Sequence, residues 1–139
     1  YEVQSRLGEG AFGAVYKCSS KNGGEAVACK VINKDRMEQR DVLMLFGDAR
    51  SGLAGEISIQ ASLPRHENVV TLLRFFEEPQ VVRLVMDVCS GGDLFDEILR
   101  ATEKRREVSK EALPLGLEEP AAAEVARQLL SAVAFLHDE

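Results

Sequence analysis

The sequence is poor in the residues that build metal centres and cross-links. Its 139 residues include three cysteines and two histidines. Cys18, Cys29 and Cys89 are odd in number and scattered, which gives neither a disulfide framework nor a C-x-x-C metal spacing. His66 and His137 are distant from each other, so no metal site of His and Cys is expected. Long apolar runs are also missing. None approaches the roughly 20 residues of a membrane span, and no signal peptide opens the chain. Neither a membrane nor an oxidising compartment is indicated, and a reduced cytoplasmic setting is the default. An excess of positive charge is absent too: the formal net charge of −6 gives no support for nucleic-acid binding through bulk electrostatics.

What is present suits one globular domain. A core can form at this length, and the 45% hydrophobic content is ordinary. The chain opens inside a strand-like pattern (Tyr1, Val3, Leu7) without a methionine and stops just past Phe135-Leu136-His137, so a fragment is expected. The region everything else is arranged around is Leu7-Gly8-Glu9-Gly10-Ala11-Phe12-Gly13-Ala14-Val15. Glycines at G-x-G-x-x-G spacing let a backbone approach a phosphate closely, because no Cβ intervenes. The run Ala14-Val15-Tyr16-Lys17-Cys18 then reads as a strand. A dinucleotide site would need a helix there, and an NTPase P-loop would need Gly-Lys-Ser/Thr. A glycine hairpin between antiparallel strands remains.

Lys30, seventeen residues after Gly13, closes the apolar strand Val27-Ala28-Cys29-Lys30. The two-residue strand period puts Ala28 and Lys30 on one face, where Val15 can join them from the neighbouring strand. Tyr1 to Leu7, Ala14 to Ser19 and Glu25 to Asn33 read as strands, and Lys21-Asn22-Gly23-Gly24 as a turn. Met37 and the run Val42 to Phe46 suit a short helix, broken by Gly47 to Gly52. Glu56 to Leu63 is again helical and is stopped by Pro64, after which Val69 to Glu77 reads as a strand. A second constellation follows, in which the apolar strand Val81 to Val88 enters Cys89-Ser90-Gly91-Gly92-Asp93-Leu94-Phe95. Asp93 is placed to cap a short helix over Leu94 to Arg100. Ala101 to Gly116 is charge-rich and reads as a solvated insertion; a last helix with a wide apolar face runs to His137.

Glycine loop, Val15 and a strand lysine in this order resemble a protein kinase domain, with its G-x-G-x-x-G-x-V followed by V-A-I-K. Cys29 stands in place of the isoleucine, a mild change for a residue that packs as a small hydrophobe. The run Gly91-Gly92-Asp93-Leu94-Phe95-Asp96-Glu97-Ile98 looks most like the calcium/calmodulin-dependent and calcium-dependent serine/threonine kinases.

The resemblance implies an α+β fold: a small lobe of antiparallel twisted sheet plus one helix, then the first helices of a large lobe, truncated. It implies a small lobe over 1–86, a hinge at 87–93 and the start of the large lobe over 94–139, with the charged insertion around 100–116. It implies that ATP sits against Leu7, Gly8, Glu9, Gly10, Ala11, Phe12, Gly13, Ala14, Val15 and Ala28. Met86 guards the deeper pocket, the Asp87 carbonyl and Cys89 amide meet adenine, and Asp93 accepts a ribose hydroxyl. Lys30 and Glu56 form the pair that positions the phosphates. Magnesium is expected in the full-length parent, but the H-R-D-x-x-x-x-N and D-F-G motifs are not in this sequence, so no catalytic base or metal ligand can be named in it. The partners implied are ATP and a protein substrate, for which Asp93 suits a basic residue near the phosphosite. The competing readings are a pseudokinase that binds nucleotide or scaffolds, and an interaction domain with a chance glycine loop.

Two departures from the family stand out. The Lys30 to Glu56 separation is several residues long, as if 35–55 carried an insertion, and Gln60 replaces an apolar residue near Leu72. With Gly55 weakening the helix by about 1 kcal/mol relative to alanine, Gly55→Ala or Gln60→Leu is expected to tighten a loosely held helix and raise nucleotide affinity.

Overall fold

The computed structural model describes residues 1–10, 13–21, 23–108 and 116–138, with the backbone alone at 107 and 108. They fall into two compact units, Tyr1–Val88 and Cys89–Glu139.

The first unit is a five-stranded antiparallel sheet with two helices. Its strands are β1 (Glu2–Gly10), β2 (Gly13–Ser19), β3 (Val27–Asn33), β6 (Leu72–Glu77) and β7 (Val81–Asp87). Their spatial order is β1-β2-β3-β7-β6. Strand β1 runs past the expected end at Leu7, because Gly8, Glu9 and Gly10 pair with Val15, Ala14 and Gly13 across the glycine hairpin.

Apolar residues on both faces of β3 and β7 supply the core. On one face Ile32, Val82 and Leu84 pack with Leu45 and Ile57 from the helices; on the other Cys18, Val27, Cys29 and Val85 cluster. Both faces of these two strands are therefore apolar, in place of the hydrophobic-in, polar-out alternation of a sheet solvated on one side.

The stretch from Lys34 to Gly55 is ordered. A single 3-10 turn at Lys34–Arg36 leads into α1 (Gln39–Phe46), whose first turn is closed where the Glu38 amide donates to Asp41 Oδ2 at 2.8 Å. Gly47, at φ 82°, ends it. A tight hairpin of β4 (Gly47–Asp48) and β5 (Leu53–Ala54) then returns the chain to α2 (Glu56–Ser62). Helix α2 stops where Leu63 turns extended at φ −66°, ψ 132°, as a residue before proline must. Strand β6 starts at Leu72 rather than Val69, since 66–69 forms a small bridge in which the Asn68 amide donates to His66 Nδ1 at 3.1 Å.

The second unit contains α3 (Leu94–Val108) and α4 (Glu119–Asp138). Helix α3 outruns its expected end at Arg100, because every residue of Ala101 to Glu107 except Thr102 is a good helix former. Residues 109–115 of the charge-rich stretch lie outside the described residues. Helix α4 has no buried residue, and Leu129, Leu130, Val133 and Leu136 are exposed.

Candidate functional site

The site in the first unit starts from the register of three strands. Val15 lies opposite Lys30, and Lys30 opposite Leu84, while Ala28 lies opposite Met86. The strand period therefore puts Val15, Ala28, Lys30, Leu84 and Met86 on one face. That face also carries Ile32 and Leu84, which pack against Ile57 of α2. Glu56 opens α2 one residue before Ile57, and its Oε1 comes within 3.8 Å of Lys30 Nζ. The structure thus brings together the strand lysine and the helix glutamate singled out from the sequence, although 26 positions separate them. The side chains keep 37% and 54% of their exposure, so this contact is worth at most about 1 kcal/mol. It cannot by itself fix α2.

The glycine hairpin joins β1 and β2 at the edge of the same sheet. Leu7, Gly8, Glu9 and Gly10 are on β1, and Gly13, Ala14 and Val15 on β2; Ala11 and Phe12 lie outside the described residues. The glycines divide by what surrounds them. A Cβ on Gly8 would meet nothing within 4 Å, and one on Gly10 only the Gly13 carbonyl oxygen at 3.9 Å. A Cβ on Gly13 would stand 1.8 Å from the Val31 oxygen. Gly13 is required by the close approach of β2 to β3, whereas the backbone at Gly8 and Gly10 is open.

Met86 and Asp87 end β7. The Asp87 amide donates to the Thr71 oxygen at 3.2 Å, and its carboxylate Oδ2 accepts from the Thr71 amide at 3.1 Å. The side chain thus pins the end of β7 to the approach to β6, a role the sequence did not reveal because the partner is 16 residues away. Cys89 and Asp93 belong to the second unit. Cys89 is exposed. Asp93 Oδ1 accepts the Asp96 amide at 2.8 Å and so caps α3.

The expectation for α2 needs correcting. Gly55 is a tightly enclosed N-cap, not a loose helix residue: a Cβ there would lie 2.2 Å from the Gly47 nitrogen and 2.5 Å from the Leu45 oxygen. Alanine therefore collides with backbone instead of firming the helix. Gln60 is likewise engaged, since its Nε2 donates to the Val70 oxygen at 3.0 Å. Helix α2 is held at both ends. A long-range pair also escaped the sequence reading. Lys34 Nζ lies 2.6 Å from Glu77 Oε1 and 5.5 Å from the Phe46 ring centroid, joining the 3-10 turn after β3 to β6 and α1.

Among the described residues no cluster of three or more His, Cys, Asp or Glu could hold a metal ion, and no helix is long and apolar enough to cross a membrane.

The protein kinase domain model matches residues 1–139. Calcium-dependent protein kinase 20 of Oryza sativa subsp. japonica is 39% identical over 99 residues, 71% of this chain and 17% of that protein. Calcium-dependent protein kinase 33 of Arabidopsis thaliana is 34% identical over 137 residues, 99% of this chain and 22% of its own length. Calcium-dependent protein kinase 11 of Oryza sativa subsp. japonica is 34% identical over 138 residues, covering 99% and 20%. The chain spans about a fifth of the length of the curated relatives it matches.

Proposed function

The chain belongs to the protein kinase domain family, and we infer that it is the ATP-binding portion of a serine/threonine kinase. Its division is a small lobe over 1–86, a hinge at 87–93 and the first large-lobe helices from 94. The observation that carries this reading is the register of Val15 with Lys30 on a face where Glu56 approaches the lysine to 3.8 Å. An apolar wall and a carboxylate-oriented cation on one face suit a ligand with a flat apolar base and a polyanionic tail.

Gly8 and Gly10 let the hairpin backbone lie over the phosphates, while Gly13 lets β2 close on β3. Lys30 holds the α- and β-phosphates, and Glu56 keeps its ammonium pointing there. Val15 and Ala28 enclose adenine, Met86 closes the deeper side, and the Asp87 carbonyl and Cys89 amide hydrogen-bond the base. Asp93 Oδ2 is the oxygen suited to a ribose hydroxyl, because Oδ1 caps α3. Magnesium, for which no ligand residue is named in this chain, would supply charge neutralisation at the phosphates in the whole protein. In the whole protein the γ-phosphoryl group passes to a serine or threonine hydroxyl of a protein substrate.

The test is binding of a non-hydrolysable ATP analogue to the chain and to Lys30→Ala. Binding weakened about tenfold or more, equal to about 1.4 kcal/mol, is the expected result. Equal binding would remove the cleft and favour an interaction module. Nucleotide binding by a whole protein that transfers no phosphate would favour the pseudokinase.

A further inference from the structure

Lys30 and Glu56 approach only to 3.8 Å with both side chains partly exposed, and the geometry of the pair depends on where α2 begins. No side chain caps α2: its N-cap is Gly55, at φ −90°, ψ 168°. What fixes that point is backbone against backbone. A Cβ on Gly55 would lie 2.2 Å from the Gly47 nitrogen and 2.3 Å from the Phe46 carbonyl carbon. Conversely, a Cβ on Gly47 would lie 2.3 Å from the Leu53 oxygen and 2.6 Å from the Gly55 nitrogen. The hairpin that closes this contact has its own lock. Asp48 Oδ1 accepts the Arg50 amide at 3.0 Å, and Gly47 pairs with Ala54. Immediately on either side, Leu45 and Ile57 are buried in the same cluster as Ile32 and Leu84 of the sheet.

We propose that Gly47 and Gly55 are positioning residues for Glu56: their contact makes α1 and the 47–54 hairpin a brace that seats the glutamate opposite Lys30. The segment that lengthens the Lys30 to Glu56 interval thereby becomes part of how the site is assembled. This rests on the nucleotide-site reading only for its consequence. The placement of Glu56 itself can be measured without nucleotide.

The measurement is zero-length carbodiimide cross-linking of the chain, which joins a lysine amine to a contacting carboxyl with loss of one water, read by peptide mass spectrometry. Lys30–Glu56 reports the brace. Lys34–Glu77, at 2.6 Å, reports an intact sheet in the same sample. In Gly55→Ala the ratio of the first product to the second falls about tenfold, and ATP-analogue affinity falls with it. A folded Gly55→Ala with an unchanged ratio overturns the proposal. Should Gly55→Ala lose both products by unfolding, Asp48→Ala, which opens the hairpin turn without adding bulk at the contact, decides. A ratio lowered about threefold supports the brace, and an unchanged ratio overturns it. If the ratio falls in the variants while the unsubstituted chain binds no analogue, the brace stands and the nucleotide site does not.

Discussion

Gln60 reaches across from α2 to the Val70 carbonyl, with 3.0 Å between Nε2 and the oxygen. At the opposite end of the same helix Gly55 is wedged against Gly47. The helix that carries Glu56 is therefore tied down at its first and last turns by groups whose types, read in sequence, look like defects.

Gln60→Leu follows from this. The substitution adds apolar surface but removes the amide that donates to the Val70 oxygen. The expected result is a loss of about 1 kcal/mol of stability, read as a lower midpoint in urea or heat. A higher midpoint would mean that the apolar gain against Leu72 outweighs the hydrogen bond.

The glycines of the hairpin should separate by experiment. Gly13→Ala forces a methyl group onto the Val31 oxygen and should cost about 1–3 kcal/mol of stability. Gly8→Ala meets nothing within 4 Å and should leave stability within about 0.5 kcal/mol while weakening ATP-analogue binding. Unfolding midpoints and binding isotherms of the two variants give the comparison. Similar behaviour of the two would contradict the division drawn between a packing glycine and a ligand-facing one.

The three thiols differ in access. Cys89 is exposed, whereas Cys18 and Cys29 are buried. Burial, reinforced by the neighbouring Cys18, pushes the Cys29 thiol above its ordinary value, which keeps it protonated and slow to react. At neutral pH iodoacetamide should label Cys89 at least about tenfold faster than the other two. An ATP analogue should slow that labelling, since the Cys89 amide is assigned to adenine. Labelling that ignores nucleotide would argue against that assignment.

On α4, Glu124 is bridged by Arg127 at 2.6 and 2.9 Å and by Gln128 at 2.7 Å. The Arg127 bonds first, then that of Gln128, hold its carboxyl down at about 2, against an ordinary value of 4.5. A lowered folded value means that its stabilisation is present above pH 4.5 and is lost as pH falls toward 2. The group is fully exposed, so solvent screening keeps the contribution small. Glu124→Gln should flatten the loss of helical circular dichroism across that window, and an unchanged acid titration would show that the bridge does not stabilise the helix.

The sequence by itself determined the glycine hairpin and the strand lysine, because each rests on a local rule, while the helix glutamate was singled out by the protein kinase resemblance. Glycine spacing needs no neighbour to be read, the two-residue period alone puts Ala28 and Lys30 on one face, and Asp93 announces the start of α3 by its type. The protein kinase resemblance then set their order in space, and with it the α+β arrangement. Tertiary structure alone decided what holds them. That Gly55 is a contact rather than a flaw, that Gln60 faces a carbonyl rather than a gap, and that Asp87 pins Thr71 all depend on partners brought close by the returning chain. Such partners leave no periodic trace in the sequence, because a backbone oxygen or nitrogen is the same at every residue. Only folding determines which of them a side chain meets.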